Sequence, residues 1–138
     1  MRVGDAWGLS ILLSAAAGLH IVRQDFDEAC AQASEAMSLS QELEDPRGIA
    51  WSLDVFAGLL AAGGHQDEAA RLWGASDGLL ESVSGSLVPT IGWIRDRYFE
   101  PVKTSLGSGA FETARAKGRA MPPVQAIAFA RQQALLLR

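Results

Sequence analysis

The sequence predicts an all-α protein: a right-handed α-solenoid of stacked antiparallel helix pairs, about seven helices in all. Three observations predict it. First, Arg23-Gln24-Asp25-Phe26-Asp27-Glu28-Ala29-Cys30 returns as Gly63-Gly64-His65-Gln66-Asp67-Glu68-Ala69-Ala70, an offset of about 40 residues that is typical of helical repeats. Second, Ala and Leu are plentiful while Pro is limited to 5 positions and Tyr to 1, a composition that favours helices. Third, apolar residues recur at three- and four-residue spacing between Gly- and Pro-marked breaks.

A chain of 138 residues, 49% hydrophobic, is bounded at a single domain over residues 1–138 with a sizeable core. The net charge of −4 and pI near 5.1 argue against direct nucleic-acid binding, which needs clustered Lys and Arg. The acidity is too mild for a disordered acidic tail. The single cysteine, Cys30, has no disulfide partner in the chain and reads as a small buried hydrophobe rather than a reactive thiol. Nothing points to an oxidising compartment, so a cytoplasmic protein is expected. Met1-Arg2 followed by Leu9 to Val22 has the outline of a signal peptide, with Ala15-Ala16-Ala17 as a cleavage site. Asp5 and the interruptions at Gly8, Ser10, Ser14 and Gly18 argue against it, and the same pattern recurs near residue 50. The run is also short for a membrane span, so no membrane association is expected.

The first helix should run from Asp5, as N-cap, to Val22, with Leu9, Leu12, Leu13, Ala16 and Leu19 giving helical periodicity. Asp25 is placed to cap a second helix, Phe26 to Leu43, whose Asp27 and Glu28 suit the positive end of the helix dipole. Its Ala29, Ala33, Ala36 and Met37 form a small-residue face. Pro46 opens a third helix that ends at Ala62 before Gly63-Gly64 and copies the first: Gly48 matches Gly8, Leu53 matches Leu13, and Ala57-Gly58-Leu59 matches Ala17-Gly18-Leu19. A fourth helix follows from Gln66 to Val83. Pro89 begins a fifth, to Ser105, which Pro101 should kink or break near Phe99. A sixth spans Ala110 to Ala120. After Met121-Pro122-Pro123, a seventh, Pro123 to Leu137, should cap the stack of three pairs (5–43, 46–83, 89–120).

These residues resemble tetratricopeptide repeats: Ala17-Gly18 followed by Asp25-Phe26-Asp27-Glu28-Ala29 has the small residue late in one helix and the aromatic-acidic-Ala start of the next. In the second copy Gln66 replaces the aromatic, and the period exceeds the usual thirty-four residues. The longer period looks like the MalT-like sensor regions of bacterial LuxR-type and related signal-transduction ATPase regulators. Asp67-Glu68-Ala69-Ala70-Arg71-Leu72-Trp73-Gly74-Ala75, then Pro89, Leu106-Gly107, Phe111, Gly118-Arg119-Ala120-Met121 and Ala126 to Ala130, is similar in order to the C-terminal tail of such regulators. The resemblance implies a C-terminal piece, as a fragment or a short independent frame. It does not carry ATPase or DNA-binding activity, because neither a phosphate-binding Gly-x-x-x-x-Gly-Lys-Ser/Thr nor a basic recognition helix occurs.

No catalytic, cofactor or metal site is expected. His20 falls at a packing position matched by Leu60, and His65 is a turn residue. No Gly-x-Ser-x-Gly elbow is present, and the carboxylates at 25–28 and 67–68 are explained by their helix starts. Trp73 reads as core, and Arg95, Asp96 and Arg97 beside Trp93 read as supplying an Arg–Asp surface pair. The candidate site is instead a binding groove. The first helices of stacked pairs line a concave surface, which would hold Trp7, Ile11 and Ser14 on one helix and Arg47, Trp51 and Asp54 on the other. Two partner classes follow. One is a protein, or a second copy: if the chain is cut from a longer array, the first helix lacks a neighbour and its outward apolar face predicts homodimerisation. The other is a small-molecule effector in the groove, as the MalT-like resemblance implies.

Overall fold

The computed structural model describes residues 2–137, which form seven helices and no strand: α1 (Val3–Val22), α2 (Phe26–Glu42), α3 (Pro46–Ala62), α4 (Gln66–Ser82), α5 (Pro89–Leu106), α6 (Ser108–Arg119) and α7 (Pro123–Leu135). The all-α class is therefore as the sequence predicts. The α3 bounds coincide with the expected ones, and α2 and α4 each stop one residue earlier. Asp5 is not a cap. It lies inside the first turn of α1, whose N-cap is Arg2. Met1, where the outline of a leader begins, lies outside the described residues.

The 40-residue repeat has a physical basis in its turns. Gln24, Glu44, Gly64 and Ser84 each take a positive φ, of 61°, 51°, 88° and 53°. The next residue's N–H then reaches back to the last turn of the helix: Asp25 to His20 O, Asp45 to Ser40 O, His65 to Leu60 O and Gly85 to Leu80 O, at 2.8–3.0 Å. These are equivalent Schellman closures, each satisfying carbonyls that the helix end leaves free. Equivalent turns joining helices of 17–20 residues make α1/α2 and α3/α4 copies of each other. Their inner hydrogen bonds match as well. Ser10 Oγ donates to Ala36 O at 3.3 Å in the first pair, and Ser76 Oγ donates to Ala50 O at 2.8 Å in the second. The two positions correspond across the repeat, with donor and acceptor exchanged.

Helix α3 is the centre of the molecule. Every residue from Ala50 to Leu60 is buried, because α3 packs on α1, α2, α4, α5 and α7. Helix α5 crosses α1 and α3 through Ile94, which fills the space left by two repeat-related glycines. A Cβ on Gly18 would come within 2.6 Å of Ile94 Cδ1, and one on Gly58 within 2.5 Å of Ile94 Cγ2. Pro101 does not break α5, which runs unbroken to Leu106. The exposed proline is spanned by packing on both sides: Ile91 and Ile94 are buried before it and Val102 after it. Phe99 meets Trp73 at 5.2 Å and Phe111 at 5.0 Å between ring centroids.

Regular stacking stops at the third pair. Helix α6 leans on α4 more than on α5. The backbones of α4 and α6 approach so closely that a Cβ on Gly74 would fall on the Arg115 carbonyl, and one on Gly118 on the Arg71 carbonyl. Nor does α7 cap the end of the stack. It folds back onto α2, α3 and α4, with Ala126, Ile127, Ala130 and Ala134 buried and Arg131 Nη2 donating to Ser38 Oγ at 2.9 Å. Its apolar face is buried against α2, α3 and α4.

Candidate interaction surface

The six groove residues occupy one side of α1 and α3, but they do not line an open groove. Both Arg47, which is exposed, and Trp51, which is buried, bond the segment linking α4 to α5. Arg47 Nη2 donates to Val83 O at 3.3 Å, and Trp51 Nε1 donates to Ser86 O at 3.0 Å. Trp51 is buried and Trp7 stays 47% exposed, their rings tilted with centroids 6.5 Å apart. Ile11 is half-buried against the core. Ser14 and Asp54 are buried. Helix α5 sits close at Gly18 and Gly58 and reaches Asp54 through Arg95.

Asp54 is fully buried in α3, so its charge needs a partner, and Arg95 of α5 supplies it. Arg95 Nε donates to Asp54 Oδ1 at 3.3 Å, and Nη2 donates to Oδ2. Its Nη1 donates to Asp77 Oδ1 of α4 at 2.7 Å, and Arg115 Nη2 of α6 donates to Asp77 Oδ2 at 2.6 Å. Four helices are thus joined by two acids and two guanidiniums. Phe99 adds its ring face to both, 5.9 Å from Arg95 and 5.4 Å from Arg115. Burial pushes the Asp54 carboxyl above its ordinary value, against the pull of Arg95 and Ser76. Burial would lower the Arg95 guanidinium, but Asp54 and Asp77 outweigh it and raise it. Of the two arginines expected to supply a surface pair with Asp96, Arg95 instead belongs to this interior network. Sequence reasoning missed Asp77 and Arg115 altogether. One signal was available: Asp54 is the sole acid in the apolar run from Trp51 to Leu60, and such an acid requires a cation from elsewhere in the fold.

The two histidines lie in separate places. His20 is half-buried, with Nδ1 3.5 Å from Asp25 Oδ2, and His65 is the N-cap residue of α4. Among the described residues, no three His, Cys, Asp or Glu side chains gather to hold a metal ion.

Two apolar features remain open. One is a cavity of about 420 Å³ between the start of α3 and α7, lined by Pro46, Ile49, Leu79, Val124 and Ile127 with Glu44 at its rim. The other is the outward face of α1. Leu12 is 68% and Leu19 57% exposed on a helix whose opposite side buries Ala6, Ala17 and Ile21. The segment Gly4–Val22 is long and apolar enough to cross a membrane by length and composition, so the sequence argument from shortness does not hold. Only 33% of the segment is buried within the fold; a core helix or a signal sequence would meet the same length and composition test. The described residues form an all-helical fold with an apolar face of α1 exposed. The chain matches no protein-family model, no curated protein and no solved structure.

Proposed function

We propose that this chain is a non-catalytic helical-repeat scaffold that works by protein association, and that the outward face of α1 is its docking surface for a second copy. The observation that carries the reading is the exposure of Leu12 and Leu19 on a helix packed on its other side. The closed state of the expected groove supports it too. The side chains best suited to anchor a ligand there, Trp51 and Asp54, already have partners within the chain. Size-exclusion chromatography with light scattering tests the reading. The wild-type chain runs as a dimer at high micromolar concentration and Leu12→Glu runs as a folded monomer. A wild-type monomer, or a Leu12→Glu dimer, contradicts it.

The similarity of the tail to bacterial signal-transduction regulators supports a cytoplasmic place at the C-terminal end of such a protein. An upstream coding segment for an ATPase and a DNA-binding domain is the observation that tests this. A second reading, small-molecule sensing, is favoured by the apolar cavity beside Ile49, Leu79 and Ile127. It predicts ligand-induced thermal stabilisation that a cavity-filling Ala→Trp change outside this region leaves intact and Ile127→Trp abolishes.

A further inference from the structure

Two rows of residues, each stepping by seven, run along the outward side of α1. One is Asp5, Leu12, Leu19; the other is Leu9, Ala16, Arg23. Asp5, Leu12, Leu19 and Arg23 are exposed, and Leu9 and Ala16 are half-buried at the edge of the stripe. Residues spaced this way lie on one helix face. Asp5 stands in the first turn and Arg23 is the C-cap residue, about 27 Å apart along the axis at 1.5 Å per residue. Neither has an ion-pair partner among the described residues.

From this pattern we infer that α1 pairs with α1 of a second copy in antiparallel orientation, in one register. The inference rests on the self-association proposed above. Under a two-fold axis beside residue 14, the first row of one copy meets the second row of the other in reverse order. Asp5 then faces Arg23, Leu12 faces Ala16, and Leu19 faces Leu9. Each charge meets its opposite at both ends, and a large side chain meets a small one next to the axis. The same two residues form both ion pairs, as an isologous interface requires. The parallel alternative places Asp5 on Asp5 and Arg23 on Arg23, so both ends repel. Helix dipoles also favour the antiparallel arrangement.

Charge reversal tests the register. Arg23→Asp puts like charges at both ends of the interface, and the dimer dissociation constant rises about tenfold in low salt, an amount equivalent to roughly 1.4 kcal/mol over the two pairs. Asp5→Arg does the same. The double variant Asp5→Arg/Arg23→Asp returns to within about twofold of wild type, with circular dichroism confirming that all three are folded. A wild-type dimer that Leu12→Glu breaks, but whose affinity the double variant fails to restore, keeps the α1 interface and overturns the antiparallel register. A wild-type monomer overturns both. So does a monomer that floats with phosphatidylcholine vesicles, since it would assign the stripe to a lipid surface.

Discussion

The Arg95 guanidinium forks across the Asp54 carboxylate, with Nε on Oδ1 at 3.3 Å and Nη2 on Oδ2, and so ties α5 to the central helix α3. Removing one partner leaves the other charged and out of water. Arg95→Met is expected to destabilise the fold by about 3–5 kcal/mol. Asp54→Leu/Arg95→Met should recover most of that loss, because the buried charge goes with its partner and Asp77 keeps Arg115. Urea denaturation of the two variants checks this. A double variant no more stable than the single one would contradict it.

The same carboxyl predicts a pH dependence. Burial raises the folded-state value of Asp54 above its ordinary 3.8. Its stabilising contribution is present in full below the unfolded value and is lost as pH rises through the raised folded value. Asp54→Asn removes that contribution. The stability of wild type relative to Asp54→Asn should therefore fall as pH rises from about 4 through this window. Thermal melts at several pH values read the gap; a constant or widening gap contradicts the prediction.

The α4–α6 contact predicts opposite signs for two alanine substitutions in one helix. Gly118→Ala drives a methyl into the Arg71 carbonyl and should cost at least ~2 kcal/mol, since backbone cannot swing aside. Gly109, also in α6, has open space around its Cβ position. Gly109→Ala should stabilise by up to ~1 kcal/mol through helix propensity. Equal melting temperatures for the two variants would contradict this close approach.

The four Schellman turns predict a series. Gln24, Glu44 and Ser84 hold a left-handed conformation that suits glycine, the residue already at Gly64. Gln24→Gly and Ser84→Gly are expected to be neutral or stabilising by up to ~1 kcal/mol, whereas Gly64→Ala should destabilise by ~1 kcal/mol. Chemical denaturation of the series checks these signs.

The first two helix pairs were legible because their signals are local. Asp27-Glu28-Ala29 and Asp67-Glu68-Ala69 mark helix starts, Pro46 marks another, and Gly63-Gly64 marks a stop. The positions of α5, α6 and α7 depend on long-range fit, which spacing does not encode. Ile94 seats between Gly18 and Gly58, and Gly74 meets the Arg115 carbonyl, but neither partner is evident from the neighbouring residues. That α5 continues through Pro101 was hidden for a related reason: the cost of a proline inside a helix is local, while the aromatic packing of Phe99 beside it comes from α4 and α6. The repeat fixes which positions of α1 and α3 correspond, Ile11 with Trp51 and Ser14 with Asp54, but not what packs over them. That Arg95 of α5 would close on Asp54 was hidden, although the lone acid among apolar neighbours asked for a cation.

Sedimentation equilibrium of the wild-type chain, from low to high micromolar concentration, tests the central claim most directly. Monomer–dimer exchange that shifts to dimer with concentration, and that Leu12→Glu abolishes while leaving the helical signal intact, is the predicted result. A wild-type chain that stays monomeric across the whole range would contradict α1 as a self-docking surface.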